Sequence, residues 1–148
     1  MAAADPFALE RFVTAQAAVL PAVLTELKGG RKRTHWMWFV FPQLKGLGHS
    51  SMATFYGIAS LHEARAYLTH PLLGPRLDLC TRTVLDLENG SLRQIFGSPD
   101  DAKFQSSMTL FALAAADPVS AFCKALDRWR GGTLDAQTLR LLEAGGQH

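Results

Sequence analysis

The chain has 148 residues, 48% of them hydrophobic and 19% charged, and a formal net charge of +2. This is the balance of one globular domain, long enough to bury a core without staples, and it excludes a disordered polar chain. So small a net charge demands neither a nucleic-acid nor a membrane partner. No apolar run approaches the roughly 18 residues of a membrane span.

Met1 to Pro6 has neither the basic nor the apolar region of a secretory signal, so a cytoplasmic location is expected. Asp5-Pro6 reads as a helix start, and the apolar residues from Phe7 to Leu27 recur at three and four. Pro21 falls inside that pattern and predicts a kink or a division into two helices, with Gly29-Gly30 closing the second. A basic run, Lys28 to Arg33, precedes Trp36-Met37-Trp38-Phe39-Val40-Phe41, which has no polar face at either period. It is expected to be buried all round, as a short helix capped by Thr34 and stopped before Pro42. Residues 43–50 read as a loop, after which Ser50 or Ser51 caps a helix.

Further starts follow in order. Ser60-Leu61-His62-Glu63 is a capping box. His70-Pro71, Ser91, Ser98-Pro99-Asp100-Asp101, Asp117-Pro118 and Asp135 open the remaining helices, with the acids of 100–101 serving as caps. The expectation is an all-α, multihelical single domain over 1–148 with eight or nine helices, whose loop spacing suggests stacked hairpins without a fixed repeat, fraying at 1–5 and 144–148. Cys80 and Cys123 form no C-x-x-C pair, so they read as core residues of a reduced protein, and no metal site is expected.

Thr34-His35-Trp36-Met37-Trp38-Phe39-Val40-Phe41-Pro42-Gln43, followed by Gly46-Leu47-Gly48, closely resembles a small bacterial family known as domain of unknown function 1810. The likeness continues through Ser60, Glu63-Ala64, Tyr67-Leu68, His70-Pro71, Leu73-Gly74 and Arg76-Leu77. It resumes at Phe96-Gly97, Asp101, Lys103 and Ser106 to Phe111. The resemblance implies a multihelical fold and no established reaction. Pro21 departs from the family's pattern. Some members are labelled calpastatin-like, but such an inhibitor would be disordered and polar, whereas this chain has the composition of a core.

Lys45-Gly46-Leu47-Gly48-His49-Ser50-Ser51 is the chief candidate site, because glycines let a backbone approach an anion and a following helix start aims free amides at it. It is neither the dinucleotide fingerprint nor a P-loop, lacking the third glycine and the Gly-Lys-Ser/Thr ending. His35 stands between the basic run and the buried run, and with His49 it is the candidate acid or base. Trp36 and Trp38 are candidates to stack a flat ligand, with Gln43 beside them. Lys103 and Ser107 share a face of one helix. Arg76, a charge in an otherwise apolar helix, is a further candidate. Three readings follow: a binding domain for a small anionic, nucleotide-like ligand, an enzyme acting on such a ligand, and a helical adaptor for another protein. No cofactor is implied, and nucleic acid is not expected from four charges in a loop.

Overall fold

The structure, a computed structural model, describes residues 4–145. Ten helices occur among them: α1 Glu10–Ala17, α2 Leu20–Lys28, α3 Met37–Val40, α4 Ser51–Phe55, α5 Leu61–Thr69, α6 Leu73–Leu85, α7 Leu92–Phe96, α8 Asp100–Ala115, α9 Ala121–Arg130 and α10 Ala136–Ala144. Of the frayed ends expected at 1–5 and 144–148, residues 1–3 and 146–148 lie outside the described residues. Helix α8 is the axis of the domain. Nine of its sixteen residues are buried, on every side, because α5, α7, α9 and α10 pack around it. A helix enclosed in this way has no solvent stripe, which is why its sequence shows little amphipathic period.

Rings link the layers. Phe12 meets Tyr67 edge-on at 5.1 Å between centroids, and Tyr67 lies 5.1 Å from Phe111 of α8. Phe41 meets Phe104 at 5.1 Å, and Phe96 stacks on Phe104 at 4.8 Å. The aromatic run therefore docks α3 onto α8 and α7.

Several starts are as the side chains dictate. Ser50, Ser91 and Asp135 each accept the amide three residues on. Pro21 divides the first helical stretch, ending α1 at Ala17 and standing in the first turn of α2. Other expectations need correction. Asp5 accepts the amides of Leu9 and Glu10, so the first helix starts at Glu10 and not directly after Pro6. Ser120, not Asp117, caps α9. Ser60 accepts the Glu63 amide, but the Glu63 carboxylate takes the amide of Ala59. Asp100 and Asp101 are ion-pair partners more than caps: Asp100 holds Lys32 at 3.1 Å, and Asp101 faces Arg130 at 3.6 Å.

Thr34 does not cap α3 either. Its hydroxyl and amide both donate to Glu26 of α2, at 2.7 and 3.0 Å. The Arg33 amide and the Trp36 indole N–H donate to the same carboxylate, at 2.6 and 3.0 Å. Burial pushes the Glu26 carboxyl up, but these four donors outweigh it and hold it near 2, below its ordinary 4.5.

The segment after α3 is not free loop. The Lys45 amide donates to the Ile58 carbonyl and the Ile58 amide to the Gln43 carbonyl, a single parallel bridge between Leu44 and Ile58. It passes so close that a Cβ on Gly57 would lie 2.8 Å from the Lys45 Cα. Here only glycine lets two backbones meet.

Candidate functional site

That bridge sets Gln43 opposite the end of α4, and α8 brings Lys103 across from α3. Between them lies a hollow lined by Met37, Trp38, Phe41, Gln43, Ala53, Tyr56, Gly57 and Lys103. Met37, Phe41 and Gly57 are its buried lining, and Trp38, Gln43, Tyr56 and Lys103 are half-buried around them. Lys103 Nζ sits 5.7 Å from the Trp38 ring centre, over its face. The same ammonium is 3.5 Å from Asp100, whose other oxygen is held by Lys32 at 3.1 Å. One carboxylate thus faces two ammonium groups, leaving local positive charge at the rim.

Among the described residues, the side chains of Trp38, Gln43 and Tyr56 form no hydrogen bond. Gln16, by contrast, is tied: it donates to the Phe39 carbonyl at 2.6 Å and to the Tyr67 hydroxyl at 2.9 Å. As it stands the hollow leaves about 10 Å³ for a water's centre, room for about one molecule. Trp38 is half-buried.

Of the residues singled out in the sequence, the structure brings Trp38, Gln43 and Lys103 together. Trp36 is buried and bonded to Glu26. His35 is exposed, does not line the hollow, and has no hydrogen-bond partner among the described residues. Gly46 and His49 line a separate, open depression with Gln137 and Arg140 of α10. His49 too is exposed and without a carboxylate or hydroxyl partner among the described residues. Lys45 is exposed, with its backbone against Gly57. Gly48 fits against Ala53, where a Cβ would come within 2.7 Å, and Ser50 is occupied as the α4 cap.

Arg76 points inward, donating to the Val13 carbonyl and to Gln16, each at 3.4 Å. Ser107 is wholly buried one turn after Lys103, its hydroxyl without a partner among the described residues. Tyr56 and Gly57 join the site unannounced, because the bridge that carries them in pairs residues fourteen apart in sequence, Leu44 and Ile58. No group of three or more His, Cys, Asp or Glu suited to a metal occurs among the described residues.

The family described as "Protein of unknown function (DUF1810)" matches residues 6–142. The crystal structure of the conserved hypothetical protein Rv1873 from Mycobacterium tuberculosis is similar to this chain, with 56% identity and a TM-score of 0.90, over 94% of this chain and 99% of that one. No curated protein matches.

Proposed function

The chain belongs to the DUF1810 family, which brings no reaction with it, and we propose on the site's geometry that it binds a small anionic ligand with a flat part. The observation that carries this reading is the convergence of Trp38, Gln43, Tyr56 and Lys103 on one hollow. Trp38, Gln43 and Tyr56 have no side-chain hydrogen-bond partner among the described residues, and Lys103 has its 3.5 Å ion pair with Asp100. An aromatic face, a carboxamide, a phenol and an ammonium are the complement of a planar ring bearing phosphate or carboxylate.

A closed volume of about one water does not admit such a ligand. Binding therefore requires the Trp38 ring to swing outward, and no hydrogen bond among the described residues restrains it. The ring then covers the ligand, and Lys103 exchanges its long contact with Asp100 for the anion. Binding is favoured over catalysis because neither His35 nor His49 is paired with a group that would activate it.

A thermal-shift screen with nucleotides, phosphorylated metabolites and aromatic carboxylates tests this. A ligand at about one hundred times its Kd stabilises the fold by about 2.7 kcal/mol. The shift is expected to vanish in Lys103→Met and persist in His35→Ala. A shift that survives Lys103→Met, or the absence of any shift across the panel, removes the reading.

A further inference from the structure

One cation of the basic run is inside the protein. The Lys32 side chain is 8% exposed, its amide donates to the Ile95 carbonyl of α7, and its ammonium is 3.1 Å from Asp100 Oδ2. The same ammonium lies 5.2 Å from the Trp36 ring centre. Lys28, Arg31 and Arg33 are exposed. An apolar side chain of similar volume commonly fastens a fold as well as a buried ion pair does, without the cost of desolvating a charge. What the Lys32 charge does beyond packing is read from its partner.

Asp100 has one charge and two cations. Its Oδ2 is held by Lys32, and its Oδ1 is 3.5 Å from Lys103 Nζ. That second separation exceeds the roughly 2.7–2.9 Å of a charge-assisted hydrogen bond. The Lys103 ammonium forms no hydrogen bond among the described residues, and it lies 5.7 Å from the Trp38 ring centre, at the hollow that both residues line. Asp101, the next acid along α8, faces Arg130 at 3.6 Å.

We propose that Lys32 is a positioning residue for the hollow: by engaging Asp100 it keeps that carboxylate from neutralising Lys103, and so leaves Lys103 its charge for an anionic ligand. The proposal rests on the hollow reading, and Lys32 itself touches no ligand. Two effects act in the same direction. Lys32 is the nearer and more enclosed partner, so its attraction to Asp100 is screened less than that of Lys103, whose side chain is 29% exposed. The two ammonium groups on one carboxylate also repel each other, which opposes a close approach of Lys103. With Lys32 removed, Asp100 keeps Lys103 as its one ion-pair partner among the described residues and draws it in.

The test is a double-mutant cycle on the full chain, with AMP and benzoate as probes and dissociation constants read from the Trp38 indole N–H signal. Lys32→Met supplies an unbranched side chain of about the same size over Trp36 without the charge. It is expected to weaken binding about two- to fivefold, the range of a partly exposed ion pair. Asp100→Asn is expected to bind at least as tightly as the parent. Adding Lys32→Met to Asp100→Asn should then cost nothing, because no carboxylate is left to compete. The Trp36 indole signal reports whether each variant keeps its fold.

An equal loss from Lys32→Met in both backgrounds would mean a distant charge or a structural role, and would overturn the proposal. So would no loss in either. A crystal structure of Lys32→Met gives a reading that needs neither Asp100→Asn nor a ligand. Lys103 Nζ should close to about 3 Å from Asp100, and a separation left at 3.5 Å or longer overturns the proposal. If neither probe binds the parent chain, the hollow reading falls and this one with it. If the parent binds through Lys103 but the cycle is additive, the hollow stands and this inference alone falls.

Discussion

The Trp36 indole N–H donates to Glu26 Oε1 at 3.0 Å, while Trp38, two residues on, forms no hydrogen bond among the described residues. These two tryptophans of one motif have been given different tasks. Trp36 is buried and locked to α2 through a carboxylate that also gathers Arg33 and Thr34. Trp38 is left half-buried, facing Lys103 across the hollow.

The Glu26 cluster predicts an acid-sensitive fold. Its carboxyl is held near 2 in the native chain against an ordinary 4.5. Its contribution to stability is therefore complete above pH 4.5 and is lost as pH falls toward 2. The shift corresponds to about 3 kcal/mol at most, and partial exposure brings that down to about 1–2 kcal/mol. Glu26→Gln should be less stable than the parent at pH 7 by about that amount, and the difference should shrink below pH 4. Chemical denaturation at the two pH values measures it.

Arg11 and Glu63 form a largely enclosed pair at 3.0 Å, with the Glu63 side chain 4% exposed. Arg11 also donates to the carbonyls of Phe7, Ala8, Phe55 and Gly57, tying α1 to α4 and α5. Arg11→Met leaves a buried carboxylate without its partner and should cost about 3 kcal/mol or more. The loss should be nearly independent of salt, since buried pairs are weakly screened. Urea melts at low and high salt check both statements.

Gly74 stands in the first turn of α6, against the end of α5. A Cβ there would lie 2.1 Å from the Leu68 carbonyl oxygen, which is backbone and unable to move aside alone. Gly74→Ala should destabilise the fold by about 2–4 kcal/mol, or force α5 and α6 apart. A calorimetric melting temperature reads this directly.

The two thiols should separate cleanly. Cys80 is buried in α6, and burial pushes its thiol up to about 12. Cys123 is partly exposed, its thiol 3.5 Å from the Asp117 carbonyl. At neutral pH a thiol reagent should modify Cys123 in the native protein and reach Cys80 only after denaturant is added. Peptide mapping of the labelled chain identifies which has reacted.

The helices were legible wherever a short polar cap meets an apolar period, as at Ser50, Ser91 and Asp135, and Pro21 divided its helix as its missing N–H requires. Glu26 was not legible. It lies among turns of α2 that read as an ordinary solvent face, and its partners follow seven to ten residues later around a turn. Arg11 escaped notice for the same reason, its carboxylate being 52 positions away. Of the candidate site, Trp38, Gln43 and Lys103 were named from composition and likeness. Their meeting with Tyr56 and Gly57 depends on the Leu44–Ile58 bridge, a non-local pairing with no local signal. That Lys32 alone of the basic run turns inward became readable only once Ile95 and Asp100 held it.

The two tryptophans also supply the most direct test of the hollow. In a nitrogen–proton correlation spectrum, the indole N–H of Trp38 and the carboxamide of Gln43 report on the hollow itself, whereas the indole of Trp36 reports on the Glu26 lock. Titration with a nucleotide should move the Trp38 and Gln43 signals together and saturably, with Trp36 unmoved. Shifts confined to Gly46, His49 and Arg140 would contradict the account, and so would no saturable shift at Trp38.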